Sequence, residues 1–233
     1  MCRIIAIKSN KNQVFDPKAH LELFSHISKN SKEFQGHGWG TTYKLPEDLQ
    51  TNSHSTFSTY KNIKPIWQDK ESWDSLPQTP LIIVHARSAF EDKGIIIENN
   101  MPFEDENFSF IFNGELRGVK IREEGRIGAE KIFNFIKKFI KLKKDTKLGF
   151  ETALKLIKIK TEFIRGLNII LLEKNTNKLF VTNNFNDKEP DYYQMYERTV
   201  PFKDSTMTII SSDPYNFKQE GWTKLETGKV IEF

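Results

Sequence analysis

The chain has 233 residues, which is enough for one large domain or two small ones. Hydrophobic residues make up 37% and charged residues 28%, a balance that excludes disordered and collagen-like proteins. The net charge of +4 does not by itself indicate a nucleic-acid partner, and a single cysteine excludes both an intramolecular disulfide framework and a Cys-rich metal site.

Neither a membrane span nor an export signal is predicted. No apolar run approaches the ~18 residues that a membrane-spanning helix needs, and residues 1–12 contain no apolar stretch of the signal-peptide type. We therefore expect a cytoplasmic protein in a reducing compartment, with no membrane partner.

Hydrophobic periodicity predicts the elements in chain order. Short apolar or alternating runs predict strands at 3–8, 41–43, 56–61, 81–87, 108–112, 167–172, 178–182, 206–212 and 229–233. Helical spacing predicts helices at 17–29, 129–142 and 148–158. The dispersed glycines and prolines favour a single domain spanning residues 1–233. Two long helices among many strands, several of them joined by hairpin signals, predict an α+β fold with largely antiparallel sheets.

Cys2 is the first candidate for chemistry. A methionine aminopeptidase removes Met1 when the next residue is small, and Cys2 would then carry a thiol and a free α-amine on one residue. An amine with a pKa of about 7.7–8.0 can act as general base for the thiol without a His or Asp partner. The alternative is that a small residue stands in second position with no catalytic role.

Two further segments could bind a reacting group or a substrate. Asn113-Gly114 is either a type I′ hairpin turn after the strand at 108–112 or an oxyanion hole made of an amide side chain and a backbone N–H. Arg87, at the end of a buried strand, either grips a substrate carboxylate or pairs on the surface with Glu91 or Asp92.

The remaining signals are less specific. Residues 36–40 form a glycine-rich loop that lacks the lysine and the Ser/Thr of a phosphate-binding loop; it is either a flexible connection or lays its backbone and Trp39 over a ligand. Lysines crowd residues 137–160, which is typical of the solvated face of two helices; nucleic-acid binding and docking of an acidic protein are the alternatives. The histidines show no metal-binding spacing, so we expect no metal and no cofactor.

These segments occur in an order that resembles the class II glutamine amidotransferases, a branch of the N-terminal-nucleophile hydrolases. The resemblance covers the whole chain and rests on Met-Cys-Arg at the start, Gly-His-Gly-Trp-Gly at 36–40, His-Ala-Arg-Ser-Ala at 85–89, Asn-Asn-Met-Pro-Phe at 99–103, Phe-Asn-Gly-Glu-Leu at 112–116, and Ser-Ser-Asp-Pro at 211–214 with Trp222.

The resemblance implies a four-layer αββα sandwich of mostly antiparallel sheets. It implies that Cys2 attacks the γ-carbonyl of a γ-glutamyl substrate to form a thioester, releasing ammonia or an amine, and that water then releases glutamate. It implies roles for further residues in this sequence: Asn113 and Gly114 as the oxyanion hole, and Arg87, Ser88, Trp39 and Gly40 in substrate binding.

The resemblance leaves three functions open. The first is a glutamine amidotransferase-like γ-glutamyl amide hydrolase, which works alone, as a homo-oligomer or with a separate synthase or acceptor subunit. The second is a hydrolase of γ-glutamyl peptides or thiol-metabolism intermediates. The third is a catalytically weak regulatory or scaffold subunit. No nucleic acid is expected.

Two positions depart from the family pattern. Where many members have an aspartate for the substrate α-amine, this chain has Gly128, so another acid (Glu123, Glu124 or Glu130) supplies the charge or the ligand is not free glutamine. Met101 stands where the family has a histidine, so no role is transferred to that position.

Overall fold

The computed structural model describes residues 2–50, 56–186, 188–215 and 221–233. The described α-helices are α1 (Lys18–Lys29), α2 (Lys70–Asp74), α3 (Gly128–Lys143), α4 (Thr146–Ile159) and α5 (Pro190–Tyr193). The described strands are β1 (Arg3–Ser9), β2 (Trp39–Lys44), β3 (Phe57–Asn62), β4 (Leu81–Ala86), β5 (Phe103–Glu104), β6 (Phe108–Val119), β7 (Thr161–Glu173), β8 (Lys178–Thr182), β9 (Tyr196–Phe202), β10 (Ser205–Ser211), β11 (Thr223–Lys224) and β12 (Val230–Glu232).

The chain divides into two compact units. Unit 1 comprises Met1–Pro102 and Met195–Leu225, and unit 2 comprises Phe103–Gln194 and Glu226–Phe233. Each unit contains one sheet, and all strand pairs in both sheets are antiparallel. The predicted α+β fold with largely antiparallel sheets is therefore confirmed.

The sheet of unit 1 has the strand order β11-β9-β10-β1-β4-β2-β3, so β1 lies at its centre between β10 and β4. All six residues of β4 are buried, as a continuous apolar run predicts for a strand covered on both faces. The buried face of α1, with Leu21 and Phe24, belongs to the same hydrophobic cluster as Ile5 and Ile82 of the sheet. This packing fixes the start of β1, which directly follows Cys2.

The sheet of unit 2 has the order β12-β8-β7-β6-β5, and its two long strands are β6 and β7. The helices α3 and α4 approach closely at Gly149, where an added Cβ would come within 2.4 Å of the Ile140 Cα. Phe133 of α3 stacks on Phe110 of β6, with ring centroids 5.1 Å apart, and so joins the helix to the sheet. Within the described ranges, every helix is too short or too polar to cross a bilayer.

Candidate active site

Cys2 immediately precedes the central strand of unit 1, and its side chain is buried with 8% exposure. Its sulfur lies against the backbone of Ser88: the Ser88 N–H donates to Sγ at 3.4 Å, and the thiol can donate to the Ser88 carbonyl at 3.7 Å. Burial raises the pKa of the Cys2 thiol, while the Ser88 N–H and the Arg87 guanidinium act in the opposite direction. The backbone N–H stays available to the sulfur when the thiol loses its proton.

The residues that follow Cys2 are firmly anchored. Arg3 donates from Nη1 to the Ser212 carbonyl at 2.9 Å and pairs through Nη2 with Asp213 at 3.1 Å. The Ile4 N–H donates to the Ser212 hydroxyl at 3.0 Å, and the Ser212 N–H donates to the Ile4 carbonyl at 3.0 Å. The family-like segment at 211–214 thus holds the end of β1 in place, and with it the position of Cys2.

Arg87 follows β4 at the same end of the sheet, because Arg3 and Ala86 are paired across β1 and β4. Its side chain is held by neutral groups: Nη1 donates to the Asn100 side-chain oxygen at 3.0 Å, and Nη2 donates to the Gly94 carbonyl at 2.9 Å. Asn100 is fixed in turn by its own donation to the Asn62 carbonyl at 2.7 Å.

Arg87 has no carboxylate partner among the residues that the structure describes, although it is only 5% exposed. The alternative of a surface pair with Glu91 or Asp92 is wrong: Glu91 pairs with Lys93 at 2.6 Å, and Asp92 lies 3.4 Å from His37. Burial without a counter-ion lowers the pKa of Arg87. A buried guanidinium with unused donors is a ready site for an anionic group.

Trp39 and Gly40 begin strand β2, so the loop predicted at 36–40 ends two residues earlier, at Gly38. The Trp39 side chain is fully buried in the core of unit 1, and its Nε1 donates to Asp69 at 2.9 Å. The ring is therefore part of the core of unit 1, and a contact between Trp39 and substrate stays a prediction. Gly40 is required by packing, because an added Cβ would lie 2.5 Å from the Met101 carbonyl oxygen.

Asn113 and Gly114 lie inside strand β6 of unit 2, where Asn113 is paired with Asn168 and Gly114 with Leu167. The alternative of a hairpin turn is therefore wrong, since pairing with β7 keeps the chain extended through this dipeptide. Asn113 is fully buried, and neither its Nδ2 nor its Oδ1 has a hydrogen-bond partner among the described residues. Because buried amides are nearly always satisfied, the amide of Asn113 is a candidate to contact a bound group.

Among the residues that the structure describes, this stretch of β6 has a strand neighbour on one side only, because β5 pairs with Ser109 and Phe110. Gly114 cannot carry a side chain: an added Cβ would come within 2.1 Å of the Gly166 carbonyl oxygen. Substitution of Gly114 would therefore disturb the sheet. A substitution of Asn113 can distinguish a catalytic role from a packing role.

The acids proposed to compensate for Gly128 are largely engaged. Glu130 pairs with Arg126 at 2.5 Å, and Glu123 pairs with Lys138 at 2.6 Å. Gly128 itself opens helix α3 and has no atom within 4 Å of an added Cβ. Of the lysines at 137–160, several lie on the exposed faces of α3 and α4, as predicted for a solvated face.

Comparisons with known proteins give a consistent answer on the fold. No protein-family model and no curated protein sequence matches the chain. A glutamine aminotransferase class-II domain protein from Silicibacter pomeroyi superimposes with a TM-score of 0.62 at 14% identity, covering 99% of this chain and 94% of that one. A predicted glutamine amidotransferase from Pseudomonas aeruginosa gives 0.58 at 15% identity, covering 100% and 97%.

The chain therefore has the class II glutamine amidotransferase fold. The glutamine phosphoribosylpyrophosphate amidotransferase of B. subtilis, solved with ADP and GMP, supports this with a TM-score of 0.61 at 14% identity. The match covers 99% of this chain but 47% of that enzyme, so the present chain spans about half the length of the larger protein. The resemblance drawn from the sequence motifs is thus confirmed at the level of the fold.

The structure brings Cys2, Arg87 and Ser88 together within unit 1 and places Asn113 and Gly114 in unit 2. Sequence reasoning missed the roles of Asn100 and Gly94, which hold the Arg87 guanidinium. For Asn100 the available signal was the Asn-Asn-Met-Pro-Phe segment. A family motif that carries no catalytic group often holds a catalytic or binding residue in position.

Proposed function

We propose that this protein hydrolyses γ-glutamyl amides, with Cys2 as the nucleophile and, once Met1 is removed, its α-amine as the base. The observation that carries the proposal is the joint placement of a thiol and a buried guanidinium that has no carboxylate partner in the described chain. Ser88 contacts the sulfur, and its neighbour Arg87 carries the guanidinium. A γ-glutamyl compound offers both features that this pair requires, an electrophilic carbonyl and an α-carboxylate.

The reaction proceeds in two steps. The α-amine of Cys2 takes the thiol proton, the sulfur attacks the γ-carbonyl, and the proton passes to the leaving ammonia or amine as the thioester forms. Water then attacks the thioester, which releases glutamate and restores the thiol. The oxyanion of each step needs hydrogen-bond donors. The resemblance and the unpartnered amide of Asn113 support Asn113, together with the Gly114 N–H, in this role.

The leaving group separates the first two functions. A glutaminase or amidotransferase releases ammonia, whereas a γ-glutamyl peptide hydrolase releases an amino compound. We favour the amide hydrolase because the structural neighbours are described as glutamine amidotransferases. If the protein transfers the ammonia, a separate subunit or a second copy of the chain would have to supply the acceptor.

The test is glutamate release from glutamine, γ-glutamyl anilide and a γ-glutamyl dipeptide by untagged protein. We expect turnover of at least one substrate, and loss of at least about 10⁴-fold in Cys2→Ser, the scale seen when a catalytic nucleophile is removed. A form with an extra residue kept before Cys2 should also be inactive, since an amide nitrogen cannot act as base. No turnover of any substrate, with folded protein, would favour the scaffold function instead.

Gly128 leads to a prediction about specificity. Because Glu123 and Glu130 are already paired with cations and Glu124 is exposed to solvent, we expect weak recognition of the substrate α-amine. Glutamine and N-acetylglutamine should then have KM values within about tenfold of one another, since no buried carboxylate discriminates between them. Gly128→Asp, which has room for its side chain, should lower the KM for glutamine alone. Strong discrimination by the wild type would contradict this.

A further inference from the structure

The segment of residues 87–89, which holds the Cys2 sulfur, is attached at both ends to His37. The backbone N–H of His37 donates to the Arg87 carbonyl at 3.1 Å. At the other end, the Ala89 N–H donates to the His37 side chain at Nδ1, at 2.8 Å. Ser88 lies between these two attachments, and its N–H is the group directed at Sγ.

The contact to Ala89 defines the state of the imidazole. Nδ1 accepts a hydrogen bond, so in the neutral ring Nε2 carries the proton, and it faces the Asp92 carboxylate at 3.4 Å. Burial lowers the pKa of His37, the nearby Arg87 acts in the same direction, and Asp92 opposes them. The neutral ring is the form that can accept from Ala89 at Nδ1, and the lowered pKa favours that form.

We infer that His37 is a positioning residue: through Nδ1 it fixes the Ala89 end of the 87–89 segment and so keeps the Ser88 N–H on the Cys2 sulfur. The inference rests on the proposed function in that Cys2 is the nucleophile. His37 contacts neither the sulfur nor a reacting atom. Its effect is to preserve a hydrogen bond that stabilises the thiolate, since an N–H donor to an ionised acceptor is stronger than one to a neutral thiol.

Two substitutions separate positioning from packing. In His37→Asn the amide oxygen takes the place of Nδ1 and can still accept from Ala89, whereas in His37→Gln the amide reaches the place of Nε2 and leaves Ala89 without its acceptor. Both variants remove the imidazole ring and its edge-on contact with Phe34, whose centroid lies 5.2 Å away. A purely packing role would therefore be lost in both.

The readout is the rate of thiol alkylation by iodoacetamide as a function of pH, which reports on Cys2 alone because the chain has one cysteine. We expect His37→Gln to raise the thiol pKa by about one unit, equivalent to tenfold less thiolate at pH values below it. His37→Asn should stay within about threefold of the wild type. His26→Gln, on the exposed side of α1, serves as the matched control and should change nothing.

Thermal melting of each variant shows whether it is folded. Equal loss of thiol reactivity in the Asn and Gln variants would overturn the inference in favour of packing, and unchanged reactivity in both would overturn any role. The alkylation assay needs no substrate, so it tests the inference even if no γ-glutamyl compound is turned over. Where turnover is found, His37→Gln should lower kcat about tenfold and leave KM within about twofold.

Discussion

Two asparagines face each other across neighbouring strands of unit 2 and differ in every polar contact. Asn113 of β6 and Asn168 of β7 are paired in register, and both are fully buried. The Asn168 amide donates to the Tyr193 carbonyl at 2.6 Å and accepts from the Asn184 N–H at 2.8 Å. Asn113 has no hydrogen-bond partner in the described part of the chain. Asn168 therefore belongs to the hydrogen-bond network of the fold, whereas the Asn113 amide is available to bind another group.

Two arginines repeat the contrast. Arg165 is held by carboxylates, with Glu189 at 2.6 Å and Glu115 at 3.2 Å. Arg87 is more deeply buried, yet it contacts only neutral oxygens in the residues described. Folding alone would select the Arg165 arrangement, because a buried charge without a counter-ion is costly. Arg87 and Asn113, whose polar groups are incompletely satisfied within the fold, are therefore the candidates for contact with substrate.

Among the substitutions that test this contrast, Asn113→Ala should have the largest effect. Loss of an oxyanion donor should lower kcat about 10²–10³-fold. Stability should change by less than about 1 kcal/mol, because the substitution removes an amide that has no partner to lose. Parallel measurement of kcat and of the unfolding midpoint checks this. Retained kcat together with a large drop in the midpoint would make Asn113 a structural residue like Asn168.

Arg87→Gln should act on substrate binding. It removes the charge while keeping a polar side chain of similar reach, so we expect kcat/KM to fall about 100-fold, mainly through KM. The loss should be smaller for a substrate whose α-carboxylate is amidated, which has no charge for the guanidinium to bind. Equal losses for the free and the amidated substrate would show that Arg87 does not bind this carboxylate.

Asn168→Ala should give the opposite result to Asn113→Ala. It removes the donor to the Tyr193 carbonyl and the acceptor of the Asn184 N–H, both of them bonds to buried Asn168, so the free energy of unfolding should fall by about 2–4 kcal/mol. Urea titration of both alanine variants provides the comparison. If the Asn168 variant is as stable as the wild type, the difference in hydrogen bonding between Asn113 and Asn168 does not indicate a difference in role.

The pH dependence of stability should report on a satisfied group in unit 1. Burial lowers the pKa of His20 from 6.5 to about 4, and its Nδ1 lies 2.8 Å from the Tyr215 hydroxyl. The folded state binds fewer protons than the unfolded state, so the stabilisation is present above pH 6.5 and is lost as pH falls from 6.5 to about 4.

Over that interval the free energy of unfolding should fall by up to about 3 kcal/mol, at 1.36 kcal/mol per pKa unit. His20→Gln should flatten this part of the profile. A wild-type stability that does not change between pH 6.5 and pH 4 would mean that His20 titrates normally in the fold.

Helices and short strands could be predicted from the sequence because their signals are local. Apolar spacing over 129–142 anticipates α3 to within one residue at either end. The extent of β6 could not be predicted, because Asn113-Gly114 has the local preference of a turn and the long pairing with β7 overrides it. Trp39 is a second example: nothing nearby in the sequence announces Asp69 as the acceptor for its ring nitrogen.

The candidate site shows the same division. The residue types at Cys2, Arg87 and Asn113 indicate their chemistry, and their order along the chain indicates the family resemblance. The groups that hold Arg87 and the start of β1 come from other segments of the chain, as with Asn100 on Arg87 and Ser212 on Ile4. Such contacts depend on how strands are ordered in the sheet, which no local pattern specifies.

We propose that Cys2 is a processed N-terminal nucleophile beside a site for γ-glutamyl compounds. The most direct test is the intact mass of untagged protein before and after exposure to a glutamine analogue that carries a diazoketone in place of the side-chain amide. We predict a starting mass short by one methionine and a single adduct, located on Cys2 and formed more slowly in Arg87→Gln. Retention of Met1, or a processed chain that forms no adduct, would contradict the account.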